Sequence, residues 1–242
     1  MKVQATKLGR RLPHLLVAIL GFATSSFAAQ MATMTLTGVG TNGALGGAYI
    51  GPYVGTINTV TTPLICDDFF DDSYIPESWT ADVYSISNFA SDFGNSTSPS
   101  ALTGYEEVAW LSQQLTDQSS GQATYLACPV GDNCAGDIQY AIWAVFDPAA
   151  LGEIGGTDLK NANAWLSAAQ SQYSTGNYSN VSIYTPDSHY SVTCGGASCP
   201  SAPPQEFIVV RTPEPPVLAV LGIDLSAIGV LIFFFRRKLT TN

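Results

Sequence analysis

Three helical patterns lie between two β-rich segments, and this order constrains the fold more than any other feature of the chain. Residues 31–65 contain short runs of Thr, Val, Ile and Tyr separated by glycine, and residues 79–87 alternate apolar and polar side chains. Both patterns predict strands joined by turns. Strand patterns return after the helices in VSIYT and EFIVVR. We therefore expect an α+β fold, a β-sandwich or barrel with a helical insertion.

Each predicted helix begins near a polar residue that can cap it. Thr103 and Glu106 have the spacing of a capping box ahead of the first helix. Asp137 is the expected N-cap of a second helix, residues 138–146, which Asp147-Pro148 should end. Asp158 is the expected N-cap of the third helix.

Residues 1–28 have the three parts of a secretory signal peptide. Four basic residues precede a short apolar run at 15–22, and small residues occupy positions 26 and 28, which a signal peptidase reads. The apolar run is too short to span a bilayer. The sequence therefore predicts cleavage after Ala28 and export of residues 29–212 to a compartment that permits disulfides.

A second targeting element is predicted at residues 213–242. Pro213, Glu214 and Pro215 precede a largely apolar span of 19 residues, 217–235, which has the length of a transmembrane helix. Three basic residues follow it and favour a cytoplasmic end. This order is similar to the PEP-CTERM sorting signal of bacterial surface proteins. The resemblance implies an exosortase-type sorting enzyme as partner and a location at the cell envelope or extracellular surface, with membrane anchoring until processing.

The predicted exported part is strongly acidic. Residues 29–212 contain two cations, Lys160 and Arg211, against seventeen carboxylates, a net charge of −15. Such a surface repels nucleic acid and anionic lipid, so we expect no nucleic-acid partner. The ordinary explanation of the charge is solubility outside the cell.

The five cysteines leave at least one without a partner inside the molecule. Cys128 and Cys134 flank PVGDN, and Cys194 and Cys199 flank GGAS, so each pair spans a short turn-rich loop and is expected to form a disulfide. Other pairings stay open because spacing does not fix connectivity. Zinc sites are disfavoured because the histidines are too few. Under this pairing Cys66 is the remaining thiol.

Several roles are open to Cys66. It could be an inert buried thiol, an intermolecular disulfide partner, or a nucleophile activated by His189 in a Cys–His hydrolase. Four aspartates within residues 67–72 disfavour a thiolate. The same aspartates lack the ligand spacing and central glycine of a calcium loop, so we expect no metal site and no cofactor.

Gln139 is a polar residue on an otherwise apolar helical face that also carries Ile142, Trp143 and Phe146. A hydrogen-bonded glutamine near a helix start is the ordinary explanation. However, LICDDFF, YEEVAWLSQQL and DIQYAIWAVFD in this order resemble the bacterial thioester domains of surface proteins. The resemblance covers about residues 33–211.

The resemblance implies that the Cys66 sulfur displaces the side-chain nitrogen of Gln139 to form an internal thioester. Ile142, Trp143 and Phe146 would shield this activated acyl group from water. It would react once with a surface amine or hydroxyl, so the protein would be a covalent adhesin and not an enzyme. The alternative is a structural or matrix protein with the same fold and no bond.

Overall fold

The computed structural model describes residues 30–86, 101–187, 193–194 and 203–211. The predicted signal peptide and the predicted sorting signal lie outside these residues, as does the predicted span 217–235. Within the ranges described, no helix combines the length and apolar character that crossing a membrane requires.

Six antiparallel strands form a closed barrel. Their order is β1-β4-β5-β9-β7-β6, and β6 pairs back with β1 to close the ring. Strand β8 adds to β6, and β2 pairs with β3 in a separate hairpin. The strand bounds are β1 Gln30–Gly38, β2 Ala44–Leu45, β3 Ala48–Tyr49, β4 Tyr53–Ile57, β5 Val60–Cys66, β6 Glu77–Ser85, β7 Val181–Pro186, β8 Thr193–Cys194 and β9 Phe207–Val210. Of the two expected architectures, the protein has the barrel.

The barrel interior is filled by alternate residues of its strands. Met34, Leu64, Trp79 and Phe207 are among the large side chains in this core. Alternation follows from the pleat, which directs successive side chains to opposite faces. The strand predicted at residues 79–87 is displaced by two residues, to Glu77–Ser85.

The three α-helices that the structure describes lie in the chain between β6 and β7, so the predicted helical insertion is confirmed. They are α1 Ala101–Ser119, α2 Cys134–Phe146 and α3 Gly156–Gln172, with short 3-10 helices at Pro148–Glu153 and Tyr173–Thr175. Together with the outer faces of β5, β7 and β9, they enclose a second core. Residues 64–66 of β5 and 207–209 of β9 are buried consecutively, so these parts of the two strands are covered on both faces.

Helix α2 begins a full turn before the predicted start, so Asp137 is not its N-cap. Asn133 caps the helix, and its Oδ1 accepts a hydrogen bond from the N–H of Gly136 at 3.1 Å. Asp137 lies in the first turn, where its Oδ2 accepts from Asn161 Nδ2 of α3 at 2.9 Å. The carboxylate thus joins two helices instead of starting one.

The other two capping predictions are also wrong. Helix α1 begins at Ala101, which places Thr103 inside its first turn. Gly155 is the N-cap of α3 and makes no side-chain cap bond, while Asp158 lies within the first turn. There the Asp158 carboxylate is still favourably placed, because the helix dipole is positive at that end.

Candidate functional site

Cys66 is the last residue of β5 and is fully buried in the barrel core. Its backbone lies opposite Phe207 of β9. The thiol donates to the main-chain oxygen of Asp68 at 2.9 Å, which turns the chain back at the end of the strand. The residue is therefore held from both sides, by the sheet and by the turn that follows.

The side chain of Gln139, also fully buried, reaches from α2 to this strand end. Its Nε2 donates to the main-chain carbonyl oxygen of Cys66 at 2.7 Å. Its Oε1 accepts from the N–H of Gly51 at 3.3 Å. The structure thus brings together the two residues that the family resemblance selected, and both ends of the amide have partners.

Aromatic rings surround this contact. The Trp143 ring lies 5.1 Å from Phe69 and 4.9 Å from Tyr140, measured between centroids. Of the predicted shielding residues, Trp143 faces the thiol, Phe146 packs on Tyr105 of α1 at 4.7 Å, and Ile142 is fully buried in the helical core. Phe69 was missed, although its position three residues after Cys66 was a signal.

The Cys66 thiol is held in its neutral form. Burial raises its pKa most, and the charges of Asp67 and Asp68 raise it further. The main chain of Asp68 and the indole N–H of Trp143 lower the pKa but do not offset these causes. The indole lies near the sulfur without the alignment of a hydrogen bond. His189, the predicted partner of a Cys–His hydrolase, lies outside the described residues.

A cleft of about 400 Å³ opens beside the site. Phe69, Trp143 and Tyr53 form part of its wall, so the cleft ends at the rings that pack around Cys66 and Gln139. The exposed carboxyl-bearing residues Asp72 and Glu153 also line it. The cleft provides an approach from solvent toward a contact that is otherwise enclosed.

A second buried polar pair, Asp67 and Glu206, lies next to the first, and no sequence pattern indicated it. Each residue is 1% exposed. Glu206 accepts hydrogen bonds from the hydroxyls of Tyr105, at 2.6 Å, and Thr185. No hydrogen-bond donor within the described part of the chain reaches either oxygen of Asp67.

Burial, and then the negative charge of Glu206, raise the pKa of Asp67. Burial likewise raises the pKa of Glu206. The raised pKa values favour the neutral form of a carboxyl in this pair.

The disulfide between Cys128 and Cys134 is present, with an S–S distance of 2.00 Å and a Cα–Cα distance of 5.7 Å. It fixes the loop that leads into α2, the helix that carries Gln139. The side chains of Cys194 and Cys199 lie outside the described residues, so their predicted pairing stays a prediction. Cys66 is free and buried.

The acidic turn after Cys66 is organised by hydrogen bonds. Asp68 Oδ1 accepts from the main-chain N–H groups of Phe70 and Asp71, at 3.1 and 3.2 Å. Burial first, and then the charge of Asp68, raise the pKa of Asp71 to about 6. Among the side chains that the structure describes, no group of three or more metal-ligating residues is found.

Protein-family models, curated proteins and solved structures were all compared with this chain, and none of them matches it.

Proposed function

We propose that the exported domain is a covalent adhesin in which Cys66 and Gln139 form an internal thioester. The observation that carries the proposal is the buried contact between the Gln139 amide and the Cys66 carbonyl, at 2.7 Å. Seventy-three residues separate the two in the chain, so their meeting depends on the tertiary fold.

The bond would form by an acyl transfer within the site. The Cys66 sulfur adds to the side-chain carbonyl carbon of Gln139, the C–N bond breaks, and the thiol proton leaves with the nitrogen as ammonia. In the second step an external amine or hydroxyl attacks the same carbon, and the C–S bond breaks. The proton of the nucleophile returns to sulfur, which leaves Cys66 as a thiol and the target joined to residue 139.

Exclusion of water supports the proposal, because a thioester persists only where hydrolysis is slow. Cys66 and Gln139 are both fully buried, and the rings of Phe69 and Trp143 separate them from the cleft. A nucleophile that enters the cleft would reach the acyl carbon once these rings move. We place the adhesin at the envelope or extracellular surface, where an exosortase-type enzyme would process the C-terminal signal.

The scarcity of amines in the exported part fits an amine-reactive protein. Lys160 is the one lysine in residues 29–212. Each lysine would offer a route to self-crosslinking, so a low number protects the bond. An acidic secreted protein without any reactive group would have the same composition.

The second candidate is a structural or matrix protein in which Gln139 only clamps the barrel to α2. The two hydrogen bonds of its amide, to Cys66 and Gly51, favour this function, because they satisfy a buried glutamine without any covalent bond. The two candidates differ in whether Cys66 carries a thiol.

Methylamine treatment of the purified exported domain distinguishes them. We expect one methylamine adduct on Gln139, loss of this adduct in Cys66→Ala and Gln139→Ala, and an unchanged adduct in Gln113→Ala. Gln113 of α1 is a suitable control because its side-chain amide also links two segments. Its Nε2 donates to the main-chain oxygen of Asn177, which lies outside the helix. An alkylatable Cys66 without any adduct in the wild-type protein would leave the structural candidate.

A further inference from the structure

We infer that the main-chain N–H of Gly51 is the oxyanion donor of this site, and that the main-chain carbonyl of Cys66 holds the departing nitrogen. The inference rests on the proposed thioester and assigns the groups that would catalyse its formation and its aminolysis.

The position of the Gly51 N–H suits an oxyanion donor. During attack at the side-chain carbon of Gln139, negative charge develops on Oε1, and the N–H of Gly51 is directed at this atom from 3.3 Å. Catalytic hydrogen bonds are commonly long in the resting state and shorten as charge develops. Because the contact is buried, the donor acts where water does not compete with it.

The other half of the amide is held by Cys66 itself. Its carbonyl oxygen accepts from Gln139 Nε2 at 2.7 Å, so the nitrogen that must leave is bound by the residue that supplies the attacking sulfur. Two main-chain groups thus fix the amide plane, and rotation that would exchange oxygen and nitrogen would lose both hydrogen bonds. In aminolysis the same arrangement would bind the oxygen again at Gly51 and the incoming nitrogen at Cys66.

Close approach explains why residue 51 is glycine. A Cβ atom there would lie 2.7 Å from Gln139 Oε1 and 3.3 Å from the Tyr53 ring. Gly51 does not have a positive φ angle, so its backbone conformation does not require glycine. Any side chain at this position would push the Gln139 carbonyl away from the N–H that binds it.

Asn42 positions this donor. Its Nδ2 donates to the main-chain oxygen of Gly51 at 2.5 Å, and the N–H of the preceding residue, Ile50, donates to Gly43 at 3.0 Å. The segment is therefore tied down on the side away from Gln139. Asn42 does not touch the amide, so it is a positioning residue.

The test compares Gly51→Ala and Asn42→Ala with the control Gly38→Ala in the exported domain. A Cβ at Gly38 meets only Val54, at 3.5 Å, which is ordinary contact. Intact mass reports thioester formation, and the rate of methylamine incorporation reports its reactivity. We expect the rate to fall about a hundredfold in Gly51→Ala, the effect of losing one oxyanion donor. Gly51→Ala that folds but never forms the bond would support the inference equally. Asn42→Ala should lower the rate several-fold, and Gly38→Ala should leave it unchanged.

Infrared difference spectra before and after methylamine add a readout that the wild-type protein alone can supply. The thioester carbonyl of the wild-type protein should absorb at lower frequency than an alkyl thioester without a hydrogen-bond donor, and Asn42→Ala should shift it upward. A wild-type band at the unbonded frequency, or a Gly51→Ala protein that reacts at the wild-type rate, would overturn this inference alone. A wild-type protein without the thioester would overturn the proposed function together with it.

Discussion

Cys66 and Asp67 are neighbours in the chain, yet they enter two different buried polar pairs. Cys66 meets Gln139 of α2, and this pair is neutral, with both ends of the amide hydrogen-bonded. Asp67 meets Glu206, which is tied through its oxygens to Tyr105 of α1 and Thr185 of β7. The end of β5 therefore lies beside two helices, with a neutral amide contact toward α2 and a carboxyl pair toward α1.

The two pairs should therefore respond differently to pH. The Cys66–Gln139 contact uses groups that do not titrate near neutrality, because the thiol pKa is raised by burial and a side-chain amide does not ionise there. In the Asp67–Glu206 pair, burial raises the pKa of both carboxyls, and the charge of Glu206 raises that of Asp67 further. Reactivity should follow the first pair, and the pH dependence of stability the second.

The largest effect is expected from Trp143→Ala, which removes the indole beside the neutral Cys66–Gln139 pair. Removal of this buried indole should lower the free energy of unfolding by about 3–5 kcal/mol, measured by urea unfolding. If the thioester forms, it should also hydrolyse faster, since water then reaches the site. Trp165→Ala is the matched control, since this residue is equally buried at 2% exposure but lies on α3. It should destabilise by a similar amount without changing hydrolysis, and faster hydrolysis in this control would contradict the shielding function of Trp143.

Glu206→Gln removes one carboxyl of the Asp67–Glu206 pair. Raised carboxyl pKa values mean that the folded protein binds more protons than the unfolded chain, so stability is greatest at low pH. It should fall as pH rises from the ordinary carboxyl range through the raised pKa values, by at most about 1.4 kcal/mol per pH unit for one proton. Unfolding measured from the ordinary carboxyl range upward in pH should show a shallower slope in Glu206→Gln than in the wild type.

Other titrating groups do not obscure this comparison. Asp68, Tyr84 and Tyr105 face the carboxyl pair in both proteins. Asp71 and Asp137, each with a pKa raised to about 6, contribute a slope of the same sign to wild type and variant alike. Identical slopes in the two proteins would show that the Asp67–Glu206 pair does not contribute to the pH dependence of stability.

The disulfide allows the two polar pairs to be tested separately, because it fixes the loop before α2, the helix that carries Gln139. Cys128 and Cys134 are six residues apart, and closing such a loop stabilises by about 2 kcal/mol in the chain-entropy model. Replacing both cysteines by serine should lower stability by this amount and slow methylamine incorporation. The pH slope should stay the same, and a changed slope would mean that α2 also controls the acidic pair.

The smallest effect is expected from Asn133→Ala. Loss of the N-cap should cost about 1 kcal/mol, measured by thermal unfolding. Asp158→Ala is a useful comparison because this residue lies in the first turn of α3 and does not cap it. It should cost only a few tenths of a kcal/mol through the helix dipole. An equal loss in both variants would argue against the cap at Asn133.

How much of this could be predicted depends on the range of the interactions. Periodicity predicts the helical insertion and the strands, because the pleat and the helical repeat are local. The cap at Asn133 was missed because the first turn of α2, which follows Asn133, carries no apolar repeat. The Asp67–Glu206 pair depends on the β5–β9 register, which sets Cys66 opposite Phe207, and no local pattern encodes it. Gly51 resembles any turn glycine until the approach of Gln139 is known.

Intact mass of the protein from residue 29 to residue 212, measured after alkylation under denaturing but non-reducing conditions, tests whether the thioester exists. We expect a mass one ammonia below that of the sequence after correction for disulfides, with Cys66 unmodified by the alkylating agent. A protein of full sequence mass plus one alkyl group on Cys66 would contradict it, because the buried contact with Gln139 would then be a hydrogen bond and nothing more.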